Sequence, residues 1–528
     1  MSKKPHILIF NPDQWRADVM GHLGNSAAVT PFLDEWVETE AVSFAYNFCQ
    51  APVCTPSRCS FLTGQYPHVF GHRSLHHMLH AERGQTNLFK VLRDNGYFVW
   101  WGGKNDVIPA AEGLAEYADI QFKADEAFFA RHASKPRNVY SEEGGWRGAK
   151  GSDTFYSFLK GPLIKDPDDR YFMDGDWQNI LGAIDFIKSA PTDQPLCIYL
   201  PIIFPHPPYC AEPEFLAQID PAILLPPRRI ADQGQFAGKP AMLHGIRAAQ
   251  NLTGWSEDRW DELRRTYYAM VARVDQQFRM VVEALKDACL YDETAIFMFS
   301  DHGDYTGDYG IVEKSQNTFE DPLTRVPLVV KLPADASQVP GVRDRTITEL
   351  IDVPATIYDL AGVDPGYDHF GRSLRGAIAD PDMDHRDTAH CEGGRRIDEM
   401  QVSEVESLAA FGPDPSNGLY FPRINVQITD GAAHNRAVMI RSLNFKYVRR
   451  LNENDEFYDL REDPQELDNR IDQARYGADL AHLKEKLLTW YLDTSDIVPR
   501  QTDARWLRHP EHNDNPPAEA APTEGQAR

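Results

Sequence analysis

The densest chemical signal in the chain is an eleven-residue run, Cys54-Thr55-Pro56-Ser57-Arg58-Cys59-Ser60-Phe61-Leu62-Thr63-Gly64. Thr55 is placed to cap a helix and Pro56 to start it, so Cys54 is expected just ahead of a helix N-terminus. There the aligned peptide dipoles favour a thiolate or any developing anion. Arg58 follows one turn later, at the spacing that folds a guanidinium back toward the same anion. An ordinary buried cysteine in a capped helix accounts for Cys54 to Arg58 equally well. A thiol phosphatase loop is set aside, because it places five residues between cysteine and arginine where three stand here. Two pairs of ligand-type residues add to the signal. Asp13 and Gln14 follow the first apolar run, and Asp301 and His302 follow another, ahead of Gly303. Singly, Asp-Gln after a strand is loop or cap chemistry and Asp-His-Gly is a turn. Together, each pair ending a core strand, they would converge on one point at a sheet edge and hold a metal ion there.

C-x-P-S-R followed by L-T-G resembles the sulfatase signature of the alkaline phosphatase superfamily. The resemblance implies that Cys54 is oxidised to formylglycine by a formylglycine-generating maturation enzyme, and that the substrate is a small anionic ester. A hydrated formylglycine is a geminal diol. One oxygen, bound to a metal and deprotonated, attacks sulfur or phosphorus; the second hydroxyl then expels sulfate by C–O cleavage. The implied metal ligands are Asp13, Gln14, Cys54, Asp301 and His302. Most sulfatases carry a second aspartate where Gln14 stands and asparagine where His302 stands. Gln and His are similar to the phosphonate monoester hydrolase and phosphodiesterase branch. An amide removes one negative charge and an imidazole moves preference from Ca2+ toward Mn2+, so a single Mn2+ or Ca2+ ion is expected.

The same resemblance assigns the positive charge. Lys314 after Gly310, followed by Arg325-Val326-Pro327-Leu328, is similar to the stretch whose lysine contacts the ester. Lys104 after Gly102-Gly103 matches a second signature, with Asp106 where the family places a histidine. His76 and His77 fall where the phosphonate branch places a polar ligand to the ester oxygens. His206, in Pro205-His206-Pro207-Pro208, resembles the His-Pro-Pro motif and implies a leaving-group proton donor with its ordinary near-neutral pKa. The implied catalytic set is Cys54, Arg58, Lys104, His206 and Lys314, a cationic pocket for a transferring sulfuryl or phosphoryl group. Sulfate monoesters, aryl sulfates foremost, are the expected substrates, with phosphonate monoesters and phosphodiesters as a second capability. The reverse order is the alternative, resting on Gln14, His302 and Asp106. A catalytically inactive binding protein of the same fold is the third reading, and the intact ligand and lysine set stands against it.

Positioning these residues requires strands that end at one edge. Strands are expected over 6–10, 97–101, 196–204, 294–299 and 326–332, with helices opening at Thr30-Pro31 and at Thr86. Trp260, Leu263, Tyr267, Val271, Val274, Phe278, Val281 and Leu285 recur every three or four residues, the mark of one long amphipathic helix. Buried strands alternating with helices predict an α/β sandwich, and the resemblance makes it alkaline-phosphatase-like, with a large mixed sheet. A catalytic α/β domain is expected over 1–375. A smaller α+β subdomain over 376–505 follows, with strands at 437–440 and 445–449 and a helix near 480–492, and 506–528 reads as a disordered tail.

Composition narrows the partners. With 54 Lys plus Arg against 79 Asp plus Glu, the formal charge of −25 repels phosphate backbones and anionic lipid, so neither nucleic acid nor membrane is expected as partner. Seven cysteines, an odd and sparse set, fit a reducing compartment better than a disulfide scaffold. The first apolar run is too short for a signal sequence, and a cytoplasmic location is the expectation. A homodimer or higher homo-oligomer is expected from the resemblance, with the polar C-terminal region as a dimer arm.

Overall fold

The computed structural model describes residues 4–141, 145–191, 193–229, 238–500 and 502. The expected tail over 506–528 lies outside the described residues. The first strand, β1 (His6–Asp13), is buried along its whole length. Its side chains alternate: Leu8 and Phe10 enter one apolar cluster, Ile7 and Ile9 the other. A strand covered on both faces is apolar on both, which is why Ile7 to Phe10 read as a continuous run before the polar Asn11 and Asp13 at the site. Each such side chain contributes about 1.5–3 kcal/mol of burial.

Around β1 the chain lays down β2 (Val42–Phe48), β3 (Phe98–Trp101), β4 (Ile120–Gln121), β6 (Leu196–Pro205), β8 (Thr294–Phe299), β9 (Leu328–Lys331) and β10 (Gly341–Glu349). They form an eight-stranded sheet in the order β10-β2-β9-β8-β1-β6-β3-β4. β1 runs parallel to both β6 and β8, while β9 is antiparallel to β8 and β2, so the sheet is mixed. The parallel trio brings the C-terminal ends of β1, β6 and β8 to one edge. A separate pair, β5 (Leu159–Pro162) with β7 (Tyr209–Ala211), flanks that edge. The long helix is present as Glu257–Asp287 and covers the Leu8/Phe10 face.

The C-terminal region supplies an antiparallel sheet, β11 (Ala389–Gly393), β12 (Ala437–Arg441), β13 (Phe445–Arg450) and β14 (Glu456–Asp459), packed by a helix Gly477–Thr494. It is not a detached unit. Cys391, Met439 and Val448 belong to the same apolar cluster as Ile7 and Ile9.

Three helix starts differ from expectation. The first helix, Pro31–Thr39, takes its cap from a distance: the Asp275 carboxylate on the long helix accepts from the backbone N–H groups of Phe32 and Leu33, while Thr30 donates to Asp34. The helix Leu88–Asp94 is capped by Asn87, not Thr86. The helix Cys54–Thr63 has no side-chain cap, and Thr55 donates instead to the Leu75 carbonyl at 3.2 Å. No helix among the described residues is long and apolar enough to cross a membrane.

Candidate active site

β1 delivers Asp13, the chain after β8 delivers Asp301 and His302, and the first residue of the helix Cys54–Thr63 is Cys54 itself. One donor atom from each of Asp13, Cys54, Asp301 and His302 lies within 4.8 Å of the others, and all four residues are buried. His302 Nε2 stands 3.2 Å from Cys54 Sγ and 3.5 Å from Asp13 Oδ1. Backbone geometry enforces this convergence. A Cβ at Gly303 would come within 1.8 Å of the Pro322 carbonyl oxygen, so only glycine lets the loop after His302 close against that segment.

Arg58 is fully buried and fastens the carboxylates. Its Nη2 lies 3.1 Å from Asp13 Oδ2, its Nε 2.9 Å from Asp301 Oδ2, and its Nη1 donates to Asn11 Oδ1 at 3.0 Å. Ser57 donates to the Asp301 carbonyl at 2.6 Å. Lys104 Nζ reaches Asp13 Oδ2 at 2.5 Å, Asp106 Oδ2 at 2.7 Å and Cys54 Sγ at 3.4 Å. It is carried there by Gly103, whose φ of 133° and close approach to the Pro201 carbonyl leave no room for a side chain.

Gln14 is turned toward the second lysine. Its Oε1 accepts from Lys314 Nζ at 2.5 Å and its Nε2 donates to Asp304 Oδ2 at 2.5 Å. Gln14 has a φ of 70°, a left-handed conformation that costs a non-glycine residue about 1–3 kcal/mol. Its neighbours hold it there: its N–H donates to Asp301 Oδ1 and its carbonyl accepts from the Tyr267 hydroxyl at 2.8 Å.

These surroundings set the protonation states. Burial alone would raise Asp13, but Lys104, His206, Arg58 and His302 outweigh it and hold the carboxyl well below the usual carboxylate range. Burial, with Asp13 adding, pushes the Cys54 thiol up to about 12 against the pull of Lys104 and Lys314. At Cys54 the pull of the helix N-terminus and of both lysines toward a thiolate is thus opposed by burial and by Asp13. Burial also lowers His302, with Lys314 in the same direction against Asp301 and Asp13. Its Nδ1 lies 3.0 Å from the Gly303 carbonyl, which fixes Nδ1 as the N–H and leaves the Nε2 lone pair facing Asp13 and Cys54. Two carboxylates and one imidazole nitrogen, buried together beside charge-balancing cations, are a donor set that fits a divalent ion.

His206 is buried at the end of β6, with Nδ1 2.6 Å from the Pro207 carbonyl, so Nε2 is its working nitrogen. Burial, reinforced by Lys314, pushes it well below its ordinary pKa, which corrects the near-neutral value expected from sequence. His76 is exposed and bonded to Ser407, and His77 is bonded to Ser74. Neither hydrogen-bonds to the residues of the cluster. Sequence reasoning missed Asn11, Asp304, Glu313 and Arg423. Asn11 lay in plain view two positions before Asp13. Arg423, paired with Glu313 at 2.7 Å, carried no local signal.

A family model described as Sulfatase matches residues 5–363, more than half of the chain. The chain belongs to the sulfatase family. Its members hydrolyse sulfuric esters, and that is the activity class of this sulfatase. Among curated relatives it is 25% identical over 538 residues to the multifunctional alkaline phosphatase superfamily protein PehA of Trinickia caryophylli, covering 94% of this chain and 96% of the relative. It is 24% identical to choline-sulfatase of Rhizobium meliloti, over 96% of this chain and 90% of that one. Among solved structures, phosphonate monoester hydrolase of Agrobacterium radiobacter superposes with a TM-score of 0.69 at 21% identity, covering 93% of this chain and 96% of that one. The fold of the chain, a mixed central sheet with an antiparallel C-terminal sheet, agrees with that superposition.

Proposed function

We propose that this sulfatase is a formylglycine-dependent hydrolase of sulfate monoesters, aryl sulfates foremost, with phosphonate monoesters and phosphodiesters as secondary substrates. The observation that supports it is the position of Cys54: its Sγ is 3.2 Å from His302 Nε2 and 3.4 Å from Lys104 Nζ, in one group with Asp13 and Asp301. Asp13, Asp301, His302 and residue 54 would hold a divalent ion, Mn2+ or Ca2+, with Gln14 beside them. When present, the ion and the formylglycine supply an oxygen nucleophile and the charge that activates it.

The remaining work falls to the chain. Arg58 helps to keep Asp13 anionic and aims both Asp13 and Asp301. Lys104, raised by Asp106 and Asp13, and Lys314, raised by Cys54, Glu313 and Asp13, stay protonated despite burial and bind the non-bridging oxygens whose charge persists through transfer. His206 Nε2 delivers a proton to the leaving oxygen; an anionic ester beside it raises its depressed pKa back toward the working range. Maturation by a formylglycine-generating enzyme is part of this reading.

A second reading, with phosphonate monoesters or phosphodiesters as the main substrates, is favoured by His302 and Gln14 in place of the commoner asparagine and aspartate. Rates on matched 4-nitrophenyl sulfate, phenylphosphonate and diester substrates separate the two. Sulfate turnover slower by orders of magnitude would transfer the assignment to the second reading. In the same preparation the Cys54 peptide is expected about 18 Da lighter than the thiol form, and Cys54→Ala is expected to abolish turnover. Full activity with alanine at position 54 would overturn the nucleophile.

A further inference from the structure

Tyr420 immediately precedes the helix Phe421–Thr429 and reaches the reaction centre from the C-terminal region. Its half-buried ring stands edge-on to the His206 imidazole, centroids 6.5 Å apart, and packs 5.5 Å from Phe158. The Arg423 guanidinium lies 5.2 Å over the ring. Arg423 is itself immobilised, with Nη1 2.7 Å from Glu313 and Nη2 3.2 Å from Glu404, and Glu313 in turn lies 2.9 Å from Lys314 Nζ. An unbroken chain of ion pairs therefore fixes this ring relative to a site lysine. The Tyr420 hydroxyl makes no hydrogen bond to any described residue. Burial, against the pull of Lys314, Arg423 and Lys104, pushes the phenol up to about 12, so it is a neutral donor at working pH that feels both site lysines. Near the same lysines one donor is absent: Asp106 stands where the resemblance puts a histidine, and its carboxylate is committed to Lys104 at 2.7 Å.

We infer that the Tyr420 hydroxyl donates a hydrogen bond to a non-bridging oxygen of the bound ester, supplying from the C-terminal region the contact that Asp106 does not. The inference rests on the reading of this site as one that binds a sulfuryl or phosphoryl ester. Such an oxygen carries charge in both ground and transition states, and one hydrogen bond to it corresponds to roughly a 10- to 100-fold change in binding.

The test uses the matured full-length enzyme and its Tyr420→Phe variant, which keeps the ring and removes only the hydroxyl. Thermal melts of the two are expected to coincide. kcat/KM is expected to fall about 10- to 100-fold, by the same factor for 4-nitrophenyl sulfate and for phenyl sulfate, a poorer leaving group. Competitive inhibition by inorganic sulfate is expected to weaken in parallel. A loss that grows with leaving-group pKa would move the hydroxyl to the bridging oxygen and overturn the assignment. So would a variant within twofold of wild type in both readouts. If the wild type turns over phosphonates and not sulfates, the proposed substrate order has failed, and the tyrosine is judged by the same ratio on 4-nitrophenyl phenylphosphonate. If no ester is turned over, calorimetric binding of inorganic sulfate to the two proteins decides, with equal affinity counting against the inference.

Discussion

The stretch from Asp301 to Arg325 feeds two buried clusters of charge. Its earlier part gives Asp301, His302 and Lys314 to the reaction centre. Its later part gives Glu320 and Asp321 to a junction with the C-terminal sheet. There Asp321 lies 2.7 Å from Lys446 and 3.2 Å from Arg441, Lys446 also pairs with Glu466, and Glu320 lies 3.0 Å from Lys239. Lys446 donates further to the Phe319 carbonyl at 2.8 Å, and Arg450 to that of Asn317 at 2.8 Å. Both clusters hold an aspartate well below the usual carboxylate range, Asp13 in one and Asp321 in the other, where opposing cations outweigh burial. A shifted pKa therefore does not tell function from structure here. Unspent donor atoms do. At the junction both Asp321 oxygens end on cations. At the reaction centre the His302 Nε2 lone pair and the Cys54 sulfur face Asp13 Oδ1 at 3.5 and 3.8 Å, donor atoms that a divalent ion would bridge.

The contrast breaks if substitutions at the two clusters have like effects. Lys446→Met strands Asp321 and Glu466 in the core and is expected to destabilise the fold by about 3–5 kcal/mol. Chemical denaturation measures that loss, and turnover per folded molecule is expected to persist. Lys314→Met is expected to do the opposite: kcat/KM falls about 10²- to 10³-fold, while the denaturation midpoint stays or rises. If Lys314→Met unfolded the protein and Lys446→Met only silenced it, the roles would be exchanged.

The smallest effect concerns acid. A carboxylate depressed in the folded state contributes stability above its unfolded pKa, near 3.9 for aspartate, and that share disappears as pH falls through the folded value. Asp321→Asn has no such share to lose. Its unfolding free energy is expected to fall less steeply than that of wild type between pH 5 and pH 2, as read by urea titrations across that range. An unchanged slope would mean the junction is not a source of acid sensitivity.

Much of the reaction centre was legible because its residues sit at the ends of strands apolar on both faces, such as β1 and β8, and within short motifs. The residues that could hold a metal, both lysines and His206 were all named from sequence, and the structure brings them to one edge. What was not legible depends on partners far away in the chain. The Asp275 cap on the first helix joins residues about 240 positions apart, and no local pattern encodes it. Lys446 and Arg450 lie in β13, which reads FKYVRR and suggests a solvated face, yet both are buried against Glu466 and Glu456. β10, GVRDRTITE, escaped notice because an edge strand carries charges that a central one does not. The opposition to a Cys54 thiolate was hidden for a related reason: helix position was visible, but burial and the nearness of Asp13 were not.

The span between Cys54 and His302 has a consequence in time. The two are 248 residues apart. At roughly 5–20 residues per second on the ribosome, about 12 to 50 seconds pass between the synthesis of one and of the other. Cys54 is buried once β8 and its loop take their place, so any catalyst that acts on the sulfur would have to reach it before those walls close.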